Sequence, residues 1–181
     1  MSCEAARAVI LDRDGTIVVD RGYLDDPRQL EFLPRAAEGL RRLRARGHRI
    51  LVVTNQSGVG RGLLRHERLE EIHARLLQMV REAGADIDAI YHCPHRPEEH
   101  CDCRKPRPKL LLRAAADFGF EPSDAVVIGD KSSDIGLGRS VGALTMLIAP
   151  GGAAPEDAAA AADYVVRDLL EAARLLERAC T

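Results

Sequence analysis

What the 181-residue sequence lacks narrows its chemistry before any motif is read. No apolar run approaches the roughly 18–20 residues of a membrane span, which excludes a bilayer-crossing helix. There is no basic excess either. The 26 Lys and Arg stand against 28 Asp and Glu, a formal net charge of -2, and no nucleic-acid partner is suggested. The first seven residues carry no signal-peptide pattern, so a reducing cytoplasm is the expected location. No internal repeat occurs, and low complexity is confined to an alanine-rich connector over residues 151–162. Cysteine is scarce, five in all, yet Cys93, Cys101 and Cys103 fall within eleven residues. In a cytoplasmic chain such clustering points to a metal rather than to disulfides. Cys3 and Cys180, near the two ends, carry no pattern.

What remains is an ordinary globular composition, 46% hydrophobic and 30% charged, suited to one domain over residues 1–181. Strand and helix signals alternate, which predicts an α/β fold with a mainly parallel sheet. Strands are expected at residues 7–12, 49–54, 87–92, 125–128 and 143–148, with a short edge strand at 164–166. Helices are expected from Pro34 to about Gly47, and over residues 66–83, 110–118, 133–141 and 169–179.

The first strand, Ala8-Val9-Ile10-Leu11, runs straight into Asp12-Arg13-Asp14-Gly15-Thr16. Residues i and i+2 of an extended chain share a side, so Asp12 and Asp14 should converge while Arg13 points away. Paired carboxylates repel unless a cation or a proton relieves them. Two further strands end in polar groups, Thr54-Asn55-Gln56-Ser57-Gly58 and Gly129-Asp130-Lys131-Ser132-Ser133-Asp134. Each is by itself a plausible turn or capped helix start. Open α/β sheets, however, bind ligands at the carboxyl ends of their strands, and parallel strands would bring all three clusters to one crevice. Together they offer what phosphoryl transfer needs: a carboxylate nucleophile, a proton carrier, oxygen ligands for magnesium, and hydroxyl, amide and lysine donors for phosphoryl oxygens.

In the loop from Cys93 to Cys103, Cys93 with His95 and Cys101 with Cys103 form two i, i+2 pairs. Three thiolates and one imidazole match a closed structural zinc site. His92 and His100 compete for the fourth place, and the symmetrical spacing favours His95. The metal-fixed loop then delivers Arg104-Lys105-Pro106, an Arg fork and a Lys point charge placed to reach phosphate. His48, His66 and His73 are read as solvent-exposed or core histidines, and Asp25, Asp26 and Arg41-Arg42 as surface charge.

These residues, in this order, resemble the haloacid-dehalogenase-like phosphatases: Asp12-Arg13-Asp14-Gly15-Thr16, Thr54-Asn55, Lys105, then Gly129-Asp130 with Asp134. More narrowly they are similar to the D,D-heptose 1,7-bisphosphate phosphatase branch, through Asp20-Arg21-Gly22-Tyr23, Thr54 to Gly58, the Cys-Pro-His loop closing in Cys101-Asp102-Cys103-Arg104-Lys105-Pro106, and Gly129-Asp130-Lys131. Histidinol-phosphate phosphatases carry a similar loop and form the alternative. A non-catalytic phosphosugar-binding module is a third reading, against which the presence of both Asp12 and Asp14 speaks.

The resemblance implies a three-layer Rossmann-like sandwich with no large cap domain, monomeric, acting on a small phosphosugar that feeds lipopolysaccharide precursor synthesis. It implies Asp12 as nucleophile, Asp14 as acid and base, and Thr54 and Lys105 as phosphoryl-steadying groups. Mg2+ would be held by Asp12, the backbone carbonyl of Asp14 and Asp130, and structural Zn2+ by Cys93, His95, Cys101 and Cys103. Asp20, Arg21, Gly22, Tyr23, Asn55, Gln56, Ser57, Arg104 and Lys131 would bind substrate. Two departures bear on substrate choice: Val18 stands where relatives often have Asn, and the zinc loop is short between its ligand pairs.

Overall fold

The computed structural model describes residues 7–152 and 156–178; Cys3 and Cys180 lie outside them. The chain runs β1 (Ala8–Leu11), α1 (Ala36–Ala45), β2 (Arg49–Asn55), a short turn of helix α2 (Ser57–Gly60), α3 (His66–Glu82) and β3 (Ala89–Cys93). It continues through α4 (Lys109–Phe118), β4 (Val126–Gly129), α5 (Ser132–Ser140), β5 (Leu144–Ile148), α6 (Glu156–Ala161), β6 (Tyr164–Val166) and α7 (Leu169–Arg178). All six strands join one parallel sheet in the order β3-β2-β1-β4-β5-β6. The expected α/β architecture is present.

A parallel strand covered on both faces must be apolar on both, and period-two geometry divides its residues between two cores. Val9 and Leu11 of β1 join Ile50 and Val52 in packing against α1, α3 and α7. Ala8 and Ile10, with Leu51, Val53 and Val127, pack beneath α4 and α5. α6 extends that second layer through Ala158, which meets Ile135 and Leu147. The result is three layers. α3 follows from its sequence, because Leu69, Ile72, Leu76 and Val80 recur at helical spacing and are all buried.

Three expectations need correction. The first helix begins at Ala36 rather than Pro34, because Arg35 adopts a left-handed conformation at φ 65° and breaks the helical path. The alanine-rich stretch is more than a connector: Glu156–Ala161 is helical, since alanine is the best helix former and Ala158 gains burial. Residues 153–155 of that stretch lie outside the described residues. Strand β1 ends at Leu11, so strand alternation does not extend to Arg13, which is buried at 1% exposure rather than pointing away. Among the described residues, no helix is long and apolar enough to cross a membrane.

The strand order reverses between β1 and β4, so a crevice opens at their carboxyl ends. The loops at this edge, residues 12–35, 56–65, 94–108 and 130–131, supply every candidate site residue outside the strand ends and α5. In the first loop Val18, with no exposed surface, bridges both Asp14 and Phe32 and folds the segment back on the sheet.

Two consequences are testable. Gly39 on α1 abuts the α7 backbone so closely that an added Cβ would lie 2.7 Å from the Leu169 carbonyl carbon. Gly39→Ala should therefore cost about 1–3 kcal/mol and lower the Tm by several degrees. Buried His48 accepts a hydrogen bond from the Arg7 amide, and burial, reinforced by the charges of Arg7 and Arg46, pushes its pKa below the usual histidine value. The unfolded chain then binds the proton first as pH falls. The His48 contribution to stability is complete above the ordinary histidine range and lost as pH drops through it. Thermal melts across that range should show a shallower acid decline in His48→Gln.

Candidate active site

The centre of the crevice is a buried ammonium. Lys105, 5% exposed, sends Nζ to Asp12 Oδ1 at 2.7 Å, to the Val53 carbonyl at 2.7 Å and to Asp134 Oδ1 at 2.7 Å. A lysine has three donors, and three acceptors surround it. Burial alone would depress its pKa, but Asp12 and Asp134 outweigh burial and raise it, keeping it charged. The Asn55 side chain fixes the lysine backbone, accepting from the Lys105 N–H at 3.0 Å and donating to the Lys105 carbonyl at 3.4 Å.

Asp14 is held apart from this cluster. The Arg13 guanidinium grips its carboxylate, Nε at 3.1 Å from both oxygens and Nη2 at 2.9 Å from Oδ2. Gln56 Nε2 donates to Asp14 Oδ2 at 2.8 Å and to Thr54 Oγ1 at 2.9 Å, tying the end of β2 to the first loop. Arg13 and Gln56 thus orient Asp14 from two directions, a function for Arg13 that alternation along a strand concealed.

A cation has a fitting place beside Asp12. One carboxylate oxygen each from Asp12, Asp130 and Asp134 lies within 4.8 Å of the others. Buried Asp130 Oδ1 has no hydrogen-bond partner. Burial lifts the Asp130 pKa to about 7, the Asp12 and Asp134 charges adding to it and Lys131 opposing them. Oxygen donors, crowded negative charge and an unsatisfied buried oxygen suit a hard cation such as Mg2+. Gly15 is required here: at φ +87° it packs on Asp130, and a Cβ would fall 2.2 Å from Asp130 Oδ2. The group holds Asp134 in addition to the expected Asp12 and Asp130, and does not include the Asp14 side chain.

The Cys93 loop gathers its four expected donors. Cys93 Sγ lies 3.5 Å from Cys101 Sγ, 2.9 Å from Cys103 Sγ and 3.6 Å from His95 Nδ1, and His95 Nδ1 lies 3.2 Å from Cys103 Sγ. None of these cysteines forms a disulfide. Tetrahedral zinc with bonds near 2.3 Å spaces its sulfurs roughly 3.7 Å apart, so the nest fits that ion with small adjustments. The Arg104 side chain, 3.5 Å from the His95 carbonyl, braces the loop, and the Gly60 amide donates to the Pro94 carbonyl at 2.9 Å.

The remaining expected binding residues divide. Asp20 reaches Lys131 Nζ at 3.0 Å, drawing the loop around residue 20 to the Asp130 side of the crevice, and accepts from the Gly22 amide at 2.8 Å. Tyr23 is half exposed and lies over Gly58, one residue after Ser57 at the start of α2. Arg21 pairs with Glu31 at 2.7 Å and donates to the Gln29 carbonyl at 3.1 Å. Asn55 and Gln56 spend their side chains on Lys105, Asp14 and Thr54. Asp134, named in the sequence only as part of a motif, proves to be a wall of the lysine site; its position three residues past Lys131, at a helix start, carried that signal.

An Asp-X-Asp loop after the first strand, a buried lysine on its leading aspartate and a second acidic cluster after the neighbouring strand define a hydrolase of the haloacid-dehalogenase-like class. The family model described as HAD-hydrolase-like matches residues 102–172. The D-glycero-beta-D-manno-heptose-1,7-bisphosphate 7-phosphatase of Pasteurella multocida is 33% identical over 94% of this chain and 97% of its own. The protein of the same name from Helicobacter pylori is 40% identical over 71% and 75%. A crystal structure of the D,D-heptose 1,7-bisphosphate phosphatase from B. bronchiseptica, complexed with magnesium and phosphate, superposes with a TM-score of 0.84 at 28% identity, covering 96% of this chain and 99% of that one. The chain belongs to the D-glycero-beta-D-manno-heptose-1,7-bisphosphate 7-phosphatase family.

Removing the Lys105 charge leaves Asp12 and Asp134 buried without a counter-ion. Lys105→Met should lose about 3–5 kcal/mol of stability in urea titrations, with part of the loss restored by millimolar Mg2+.

Proposed function

We propose that this protein hydrolyses the 7-phosphate of D-glycero-β-D-manno-heptose 1,7-bisphosphate through an aspartyl-phosphate on Asp12, as a cytoplasmic monomer. The observation that carries the reading is the division of labour between two neighbouring carboxylates. Asp12 sits against the Lys105 ammonium, and Asp14 is held by Arg13 and Gln56. The names of the relatives supply the substrate.

In the first step an Asp12 oxygen attacks phosphorus, and the bond from phosphorus to the sugar oxygen breaks. Asp14 gives its proton to that oxygen as it leaves. In the second step Asp14 takes a proton from water, the water oxygen bonds to phosphorus, and the bond to Asp12 breaks. Lys105, and Thr54 at the end of β2, steady the phosphoryl oxygens as charge spreads onto them. Asp12, the Asp14 carbonyl and Asp130 would hold Mg2+, which would neutralise the charge on the phosphoryl group. Lys131 and Asp20 frame the substrate side, with Tyr23, Ser57 and Arg104 as further contacts. Zn2+ at Cys93, His95, Cys101 and Cys103 is structural, since four protein ligands leave no place for water.

Phosphate release should be measured with Mg2+ on both anomers of the bisphosphate, with histidinol phosphate alongside. The β anomer should be preferred, and Asp12→Asn should lose at least about a thousandfold in kcat. Preference for histidinol phosphate would overturn the substrate assignment, and an active Asp12→Asn would overturn the nucleophile.

A further inference from the structure

On the opposite side of β3 from the cysteine nest lies a second cluster of metal-ligating side chains that the phosphatase chemistry leaves unused. Successive residues of a strand face opposite ways, so Cys93 enters the core beneath α4 while His92 turns toward α3. There it meets residues spaced i, i+4 and i+7 along one face of that helix: His66, Glu70 and His73. The His66 and His92 ring centroids are 5.3 Å apart, and His66 Nε2 is 3.8 Å from Glu70 Oε1. One donor atom each from His66, Glu70 and His92 lies within 4.8 Å of the other two.

We propose that His66, Glu70 and His92 form a site for a divalent transition-metal cation, Zn2+ or a chemically similar ion, with water completing its shell. Two imidazoles and one carboxylate select such ions over Mg2+ or Ca2+, which prefer all-oxygen sites. His66 and Glu70 are more than half exposed on the first turns of α3, so their side chains are free to close on an ion.

A second observation points the same way. His73, only 5% exposed, places its ring centroid 5.3 Å from that of His92, and its Nε2 has no hydrogen-bond partner. Buried imidazole nitrogens ordinarily find partners. An unsatisfied one on a ring that neighbours a candidate ligand is a polar group that a hydrated ion would serve. The bound ion would join the start of α3 to the carboxyl end of β3, where His92 stands in register with Thr54 of β2.

The test is calorimetric titration of Zn2+ into the purified protein in saturating Mg2+, after metal analysis has counted the tightly retained zinc. Wild type should take up one further equivalent and gain in Tm, because an ion that binds only the folded state stabilises it. His66→Gln and Glu70→Gln, both surface changes, should weaken that equivalent at least tenfold and erase the gain while the retained zinc is unchanged. Cys103→Ser should do the reverse, which separates this site from the cysteine nest. Equal stoichiometry and affinity in wild type and His66→Gln, or no uptake by wild type beyond the retained zinc, would overturn the assignment.

Discussion

Everything at the carboxyl edge of the sheet depends on one ammonium group kept out of water. Burying a charge is costly unless it is paired and fully hydrogen-bonded, and Lys105 meets both conditions with Asp12, Asp134 and the Val53 carbonyl. Those three acceptors come from the ends of β1 and β2 and from α5. The lysine therefore fixes the relative positions of the elements that surround it, and folding and electrostatic preorganisation become the same event.

The loop that delivers Lys105 is itself restrained from several sides. Asn55 clamps the lysine backbone, Gly60 holds Pro94, and the cysteine nest gathers residues 93–103 into a compact knot. A loop rich in polar backbone groups gains little from hydrophobic burial, and an ion in the nest would hold it rigid. The same logic applies on the other face of β3, an edge strand paired only with β2 among the described residues.

Much of this was legible in the sequence. Alternating apolar runs and helical spacings gave the sheet and its layers, and the acids, amides and cysteines at strand ends gave the crevice and the nest. What escaped was what depends on side chains turning after regular structure stops. Arg13 follows a strand that has already ended, so its burial against Asp14 could not be read from alternation. Asn55 and Gln56 have the chemistry of substrate ligands, and their added contacts to Lys105 and Asp14, protein groups distant in sequence, were not legible in the motif. His66 and His92 are 26 positions apart and look unremarkable until a helix and an edge strand bring them together.

The strand order has a consequence for the chain during its synthesis. β1 is made first and stands at the middle of the sheet, with one side paired to β2 and the other to β4. Its second partner is Val126–Gly129, more than a hundred residues later, so one edge of the central strand stays open until most of the protein has left the ribosome. Contacts of such long sequence separation slow folding and prolong the exposure of an apolar, β-prone edge. The tip of that strand carries Asp12, whose lysine partner is 93 positions away. That carboxylate therefore cannot acquire its buried counter-charge until residue 105 has been made and folded against it.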